Sequence, residues 1–215
     1  MAKTGPFDEH REQYDRWFEE HADLYEAELA AVNALLPASR HGGLEIGVGT
    51  GKFAARLGVQ TGIEPSAAMA ERAAERGIEV RPGVAEALPF DDRTFEYVLM
   101  VTTICYVDDP ERAFAEAFRV LRPGGCIVIG FVDPDSALGR WYVARRSDSV
   151  FYRDARFFAN EEVLALLARA GFVDPVAKQT LLLGQPASVV RDGYGTGAFV
   201  VLRGHKPSLT TSGQT

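Results

Sequence analysis

The stretch "LEIGVGTGKF", Leu44 to Phe53, decides how the rest of the chain is interpreted. An apolar run leads into three glycines on alternate positions, Gly47, Gly49 and Gly51, and residues 51–57 then have the pattern of a helix start. Glycine tolerates positive φ and lets a ligand approach the backbone closely, and a helix start presents free N–H groups. The stretch therefore predicts a strand, a ligand-binding turn and a helix, with a tight turn that binds nothing as the alternative.

The spacing of the glycines separates the candidate ligands. A dinucleotide fingerprint, GxGxxG, would need its third glycine where Lys52 stands, and a P-loop would need its first glycine at Ile46. The chain instead has E-x-G-x-G-x-G, with Glu45 two residues before the first glycine. A carboxylate there suits a ligand that carries an ammonium group and repels a pyrophosphate. The pattern therefore disfavours nicotinamide dinucleotides and nucleoside triphosphates.

Strand and helix patterns alternate along the rest of the chain. Residues 8–36 predict one long helix or two short ones, ended by Pro37. The predicted strands are 43–47, 61–64, 78–83, 95–102, 126–132, 173–183 and 197–204, and the further helices are 51–57, 65–77, 109–122 and 160–172. This alternation predicts an α/β fold with a largely parallel sheet, helices on both faces and a ligand at the carboxyl ends of the strands.

Composition bounds the possible functions. The 215 residues fit one domain, expected over 1–203, followed by a polar, disordered tail over 204–215. The net charge of −7 disfavours a nucleic-acid partner, and two isolated cysteines argue against a disulfide framework or a metal site. We see no signal-peptide pattern and no membrane-spanning run, so a cytoplasmic protein without a membrane partner is expected. The oligomeric state is not predicted.

Five segments together resemble the class I S-adenosylmethionine-dependent methyltransferases, of the type 11 kind. They are the glycine loop, Glu64 at the end of a strand in "GIEPS", "GVAEALPF" at 83–90, "RVLRPGG" at 119–125 and "FFANEEVLALLARAGF" at 157–172. The resemblance spans residues 40–175. It implies a Rossmann-like, seven-stranded, mostly parallel sheet with an antiparallel last strand. It also implies S-adenosyl-L-methionine as cofactor and S-adenosyl-L-homocysteine as product.

The resemblance assigns cofactor roles residue by residue. It implies that Gly47 and Gly49 hold the methionine portion, that Glu45 faces its ammonium group directly or through water, and that Glu64 binds the ribose. The other implied contacts are Gly51 at the helix start, Pro65, Ser66, Met69, Ala85 and Glu86 around the adenine, and Val101 and Thr102 beneath the sulfonium. Helix packing is the alternative role for Met69, and capping of a turn is the alternative for Glu86. Val84 departs from the family, in which many members carry an adenine-binding Asp there.

The sequence gives less information about the residues that contact the methyl acceptor. Methyl transfer needs alignment above all, and a base only when the acceptor must first lose a proton. Thr103, Tyr106 and Tyr14 are the candidate acceptor-side residues. Cys105 stands where the family often has His, so the segment offers no imidazole base, and a small buried side chain is its alternative role.

Two segments are expected to cover the acceptor. The first is an N-terminal helical lid, residues 1–37, whose aromatic residues line a pocket or simply pack against the domain. They are Tyr14, Trp17, Phe18 and Tyr25. The second is a variable, irregular insertion at 133–158, whose arginines either bind an anionic acceptor or form a solvated face. They are Arg140, Arg145, Arg146, Arg153 and Arg156.

These features predict a methyltransferase that acts on a small-molecule acceptor. The alternatives are a methyltransferase acting on a protein or RNA and a non-catalytic relative that only binds S-adenosylmethionine. A nucleotide-dependent oxidoreductase is disfavoured by Lys52 at the third-glycine position.

Overall fold

The computed structural model describes residues 4–209. Its strands are Gly43–Ile46 (β1), Thr61–Glu64 (β2), Glu79–Pro82 (β3), Phe95–Val101 (β4), Leu121–Val132 (β5), Val173–Leu182 (β6), Arg191–Asp192 (β7) and Gly197–His205 (β8). Its α-helices are Gly5–Glu9 (α1), Arg11–Glu20 (α2), Ala22–Asn33 (α3), Lys52–Leu57 (α4), Ala67–Glu75 (α5), Pro110–Val120 (α6), Ala137–Ala144 (α7) and Asn160–Ala170 (α8). The predicted α/β class is confirmed.

The strands form one sheet in the order β3-β2-β1-β4-β5-β8-β6-β7. The first five strands pair in parallel, and β8 runs antiparallel to both of its neighbours, β5 and β6. The described chain thus has eight strands where seven were predicted. The additional β7 is a two-residue edge strand whose residues Arg191 and Asp192 pair with Gln179 and Lys178 of β6. The strand β7 consists of two exposed residues, which are too few to show an alternating apolar pattern, and for this reason the sequence did not predict it.

The sheet reverses its strand order between β1 and β4. From β1 the chain moves outward through β2 and β3, and it then returns to the other side of β1 with β4 and β5. Ligands of open α/β sheets bind at such a switch point, outside the carboxyl ends of the strands. The glycine loop follows β1 directly, so it lies at this point.

Both faces of the sheet are buried. Along β4, Val98 and Met100 pack into the cluster that contains α6 and α8, whereas Tyr97, Leu99 and Val101 pack into the cluster that contains α3 and α4. Alternate residues of a strand point to opposite faces, and a continuous apolar run is expected where helices cover both. This double burial holds the carboxyl ends of β1 and β4 in fixed positions.

The N-terminal region contains three helices among its described residues, where one or two were predicted. The breaks fall at His10 and His21, which adopt non-helical backbone angles (φ −123° at each) between α1, α2 and α3. The apolar spacing continues across both breaks, so periodicity alone does not reveal them. The first three residues of the predicted lid lie outside the described residues.

Two other boundaries differ from the prediction. Gly204 and His205 belong to β8, and the N–H of Lys206 donates to the carbonyl of Gly125 (2.8 Å), so the ordered chain continues past the expected end at residue 203. Residues 210–215 of the predicted tail lie outside the described residues. The segment 133–158, expected to be irregular, contains α7, which Ser136 caps by accepting a hydrogen bond from the N–H of Gly139 (2.9 Å).

Candidate active site

The three loop glycines differ in what prevents a side chain. All have positive φ, which disfavours any other residue type. A Cβ on Gly47 would lie 2.3 Å from Thr103 Cγ2, and one on Gly51 would lie 2.6 Å from Ile78 Cδ1. A Cβ on Gly49 would make ordinary van der Waals contacts, with Tyr14 Oη at 3.4 Å and Met69 Cε at 3.8 Å. Close packing therefore excludes a side chain at Gly47 and Gly51, whereas Gly49 has room for a Cβ and lines the cavity.

A cavity of about 470 Å³ opens at the carboxyl ends of the strands. Most of the predicted site residues line it: Tyr14, Gly47, Gly49, Glu64, Pro65, Met69, Ala85, Glu86, Val101, Thr102, Thr103 and Tyr106. Three do not: Glu45, Gly51 and Ser66. Its volume is in the usual range for a small-molecule site. The glycine loop and the two segments predicted to cover the acceptor are thus brought to one cavity.

Glu64 connects the end of β2 to the glycine loop. Its carboxylate accepts hydrogen bonds from the N–H of Gly49 (Oε2, 2.9 Å) and from the N–H of Ser66 (Oε1, 2.9 Å). Burial raises its pKa, and these two hydrogen bonds oppose the rise. Each carboxylate oxygen can accept a further hydrogen bond, so Glu64 can bind a pair of hydroxyl groups in the cavity while it holds the loop.

Glu45 lies behind the loop rather than in the cavity. It is 2% exposed, burial raises its pKa well above the ordinary value, and the backbone N–H of Ala54 opposes this by hydrogen bonding. Its Oε2 has no hydrogen-bond partner within the described part of the chain. Glu45 does not line the cavity, and its unpartnered buried oxygen is available to a polar group that enters the loop.

On the adenine side the structure assigns Glu86 a structural role. Its Oε1 accepts hydrogen bonds from the N–H groups of Asp108 (2.8 Å) and Asp109 (3.1 Å), next to the start of α6. Met69 is 1% exposed and packs while it borders the cavity. Both residues therefore make the structural contacts that the sequence gave as alternatives, and both also line the cavity, so that their contact with the adenine stays a prediction.

At the end of β4 the backbone turns sharply. Thr102 has a φ of +48°, rare for a β-branched residue, and its N–H donates to the carbonyl of Gly130 (2.8 Å). The hydroxyl of Thr103 lies within hydrogen-bond distance of the carbonyls of Val101 (3.0 Å) and Gly47 (3.3 Å). The proton of Thr103 is thus directed to the backbone, which makes it a residue that positions the glycine loop.

Aromatic rings from the lid and the insertion meet over the cavity. Phe7 of α1 contacts Tyr106 (centroids 5.1 Å apart) and Phe151 (5.5 Å), and Tyr14 of α2 contacts Phe151 (5.7 Å) and Phe18 (5.2 Å). Loss of solvent around Tyr14, together with nearby acidic groups, raises the pKa of its hydroxyl, so it stays protonated. We call Phe7, Tyr14, Phe18, Tyr106 and Phe151 the aromatic roof.

Polar contacts fasten the lid to the cofactor side. Asp15 of α2 accepts hydrogen bonds from Thr50 Oγ1 (2.6 Å) and from Arg76 Nη2 (2.7 Å). Asp8 accepts one from the hydroxyl of Ser66, which also caps α5. The lid is therefore attached to the glycine loop and to the residues that follow Glu64.

The arginines of the insertion do not reach the cavity. None of the five lines it; Arg145 lies over the ring of Trp141 (4.7 Å), and Arg156 pairs with Glu162 (2.9 Å). None of the four histidines lines it either. These arginines therefore form a solvated face, which was one of the two expectations, and do not line a binding site for an anionic acceptor.

Several polar side chains that line the cavity were not predicted as site residues from the sequence, among them Glu28, Tyr142 and Tyr152. A signal for Glu28 was present, because it lies on the same helical stripe as Tyr25 and Val32, where an apolar residue is expected. Burial raises its pKa to about 8. Tyr142 and Tyr152 lie in the insertion, which has no regular pattern that would orient them.

A sheet with this switch point, a glycine turn after β1 and a carboxylate at the end of β2 are features of a Rossmann-like nucleotide-binding fold, and the spacing of the glycines resembles that of the class I methyltransferases. A model of the family described as "Methyltransferase domain" matches residues 44–129. The chain belongs to the S-adenosylmethionine-dependent methyltransferases. It is an enzyme of this class, and S-adenosylmethionine is its cofactor.

Individual relatives show how far the similarity extends along the chain. An uncharacterised protein of Methanocaldococcus jannaschii is 40% identical over 93% of this chain and 98% of its own. A crystal structure from Thermotoga maritima, described as an S-adenosylmethionine-dependent methyltransferase and "possible histamine N-methyltransferase", is 49% identical, with a TM-score of 0.89 over 94% of this chain and 99% of that one. Phosphoethanolamine N-methyltransferase 2 of Haemonchus contortus, solved with S-adenosylmethionine, shares the fold at 18% identity and a TM-score of 0.63, over 86% of this chain and 53% of that one.

Within residues 4–209 no helix is long and apolar enough to cross a bilayer.

Proposed function

We propose that this enzyme methylates a small molecule enclosed in the cavity beneath the aromatic roof. The observation that carries the proposal is the closure of the site: α1 and α2 cover it from one side, and Tyr142, Phe151 and Tyr152 of the insertion border it from another. A polymer would have to displace the lid, which Asp8 and Asp15 fasten to the cofactor side. A small molecule needs no such displacement.

The residues of the loop fit the cofactor. Gly49 leaves backbone open to the cavity, and Glu64 has acceptor capacity to spare, which suits the two ribose hydroxyls. We assign Gly47 and Gly49 to the methionine portion, Pro65, Met69, Ala85 and Glu86 to the adenine, and Val101 and Thr102 to the sulfonium end. Glu45 and Gly51 support the loop from behind. The bound cofactor supplies an activated methyl group on a positively charged sulfur.

The protein contributes alignment and exclusion of water. Thr103 holds the end of β4 against Gly47, which sets the distance between the cofactor loop and the acceptor end. The aromatic roof keeps solvent from the reacting atoms. Tyr106 and Tyr14 are proposed to orient the acceptor through their rings and protonated hydroxyls. Alignment of this kind accounts for a large part of the barrier reduction in two-substrate reactions.

The relatives support a small acceptor. The Thermotoga maritima protein, described as a possible histamine N-methyltransferase, matches this chain over nearly its whole length. Histamine is therefore one compound to include in an acceptor panel.

Partition of a labelled methyl group tests the proposal. The enzyme is incubated with radiolabelled S-adenosylmethionine and either the small-molecule fraction of a cell extract or its protein and RNA. We expect label only in the small-molecule fraction. Label that enters protein or RNA would establish the macromolecular alternative. No transfer to any fraction, with S-adenosylhomocysteine bound normally, would favour the non-catalytic one.

A further inference from the structure

One carboxylate in the cavity is not among the residues assigned to the cofactor above. Glu28 of α3 lines the cavity and is 7% exposed. Within residues 4–209 no group donates a hydrogen bond to its carboxylate and no cation pairs with it, and burial is the only cause of its shifted pKa. A buried acid without partners costs stability, so its place in a ligand cavity calls for a ligand that compensates it.

The surroundings of Glu28 are aromatic and uncharged. Tyr14, Tyr142 and Tyr152 line the same cavity as Glu28, and the negative charge of Glu28 contributes to the raised pKa of each of their hydroxyls. The single basic residue that lines the described cavity, Arg112, lies at the start of α6, beside the segment held by Glu86. The acceptor end thus combines one carboxylate with several ring faces and no protein cation.

This combination selects for a cationic nitrogen. Ring faces attract cations, and the attraction grows when water is excluded. A carboxylate forms its strongest hydrogen bonds with charged N–H donors. A carboxylate or phosphate on the acceptor would be repelled by Glu28, and a neutral apolar acceptor would leave it unpaired.

We propose that Glu28 binds the protonated amine of the acceptor, so that this enzyme methylates small amines. This rests on the function proposed above. An ammonium group has no lone pair and must lose one proton before its nitrogen can form a bond to the methyl carbon. Glu28 accepts that proton on its carboxylate, the nitrogen lone pair forms the N–C bond, and the electrons of the C–S bond remain on sulfur. The methylated nitrogen carries the single positive charge that was on sulfur. Burial raises the pKa of the Glu28 carboxyl in the ligand-free enzyme, and the positive charge of a bound ammonium group opposes this rise, so that the carboxylate is ionised when the amine is bound.

Matched ligand pairs test the proposal. The enzyme saturated with S-adenosylhomocysteine is titrated calorimetrically with phenylethylamine and phenylethanol, and with tryptamine and tryptophol. Each pair differs mainly in the charged nitrogen. We expect each amine to bind at least about tenfold more tightly than its alcohol, since hydrogen bonds between charged groups contribute about that much. In Glu28→Gln the preference should fall to about twofold, with S-adenosylhomocysteine affinity unchanged.

Glu26→Gln is the matched control, because Glu26 lies on the same helix, is exposed and pairs with Arg56 (2.8 Å). It should keep the wild-type preference. Equal binding of amines and alcohols to the wild type, failure of all the amines to bind, or a preference unchanged in Glu28→Gln would each overturn the proposal. Loss of S-adenosylhomocysteine binding in Glu28→Gln would assign Glu28 to the cofactor instead. Failure of the wild type to bind S-adenosylhomocysteine would contradict the cofactor site rather than the amine proposal.

Discussion

Three buried glutamates of this site differ in what surrounds them. Glu64 has two backbone N–H donors, Glu45 has one and an unpartnered oxygen, and Glu28 has none within the described chain. The pKa of each is raised by burial. The sequence predicted Glu45 and Glu64 because both lie at fixed distances from strand ends. It did not predict Glu28, whose importance depends on which residues of the insertion face it.

The pH dependence of stability should report on Glu28. Its pKa is about 8 in the folded protein and near the ordinary value of 4.5 when unfolded. Between these values the folded state retains a proton that the unfolded state has lost, so unfolding becomes easier as pH rises. The loss is at most about 1.4 kcal/mol per pH unit.

Thermal unfolding of the ligand-free enzyme at pH 5 and pH 8 measures this effect. Glu28→Gln should lose less stability between the two values than the wild type and should be the more stable protein at pH 8. Glu26→Gln serves again as the control. Parallel curves for the wild type and Glu28→Gln would show that Glu28 is not held in the low-dielectric site described here.

The different surroundings of the loop glycines predict different effects of alanine at Gly47 and at Gly49. Gly47→Ala should lower the melting temperature more than Gly49→Ala, because only the first places a Cβ against Thr103, at 2.3 Å. Both carry the cost of positive φ, about 1–2 kcal/mol. Gly49→Ala should remain folded and lose most of its affinity for S-adenosylhomocysteine. Equal melting temperatures, or normal binding by Gly49→Ala, would contradict the roles assigned to the two glycines.

At the scale of elements, the N-terminal helices determine access to the site. Their breaks at His10 and His21 let α1, α2 and α3 follow the curve of the cavity, with Phe7, Tyr14 and Glu28 facing inward from successive helices. The periodicity of residues 8–36 predicted helix but not the breaks. It therefore could not predict which of the aromatic side chains would meet the insertion.

The attachment of α2 should control cofactor release. Asp15→Asn weakens the contacts with Thr50 and Arg76, so the lid should open more often. We expect S-adenosylhomocysteine to dissociate several-fold faster by stopped-flow measurement. The exposed Glu12→Gln on the same helix should leave the rate unchanged. An unaltered rate in Asp15→Asn would mean that α2 does not gate the site.

At the scale of the whole molecule, the sequence predicts best those strands and helices whose residues follow a local pattern, such as a short apolar run or a helix-capping sequence. The strands β1, β2, β4 and β5 were predicted because buried parallel strands are short apolar runs, and α6 because Asp109 and Pro110 mark its start. The edge strand β7 and helix α7 were missed because their contacts are with distant segments rather than with a local pattern. The cofactor end of the cavity is built from elements of the first kind, whereas the acceptor end is built from the lid helices, whose breaks were not predicted, and from the insertion, whose helix α7 was not predicted. This is why the cofactor was predicted in detail and the acceptor only as a class.

Glu64 is the central residue of the cofactor site, because it both holds the glycine loop and lines the cavity. The most direct measurement is calorimetric titration of the wild type and of Glu64→Ala with S-adenosylhomocysteine, and separately with NADH. Glu79→Ala, an exposed glutamate on the neighbouring β3, is the control. We expect S-adenosylhomocysteine but not NADH to bind the wild type and the control, and Glu64→Ala to bind about tenfold or more weakly, since charge-assisted hydrogen bonds are lost. Normal affinity in Glu64→Ala, or binding of NADH alone, would contradict the site described here.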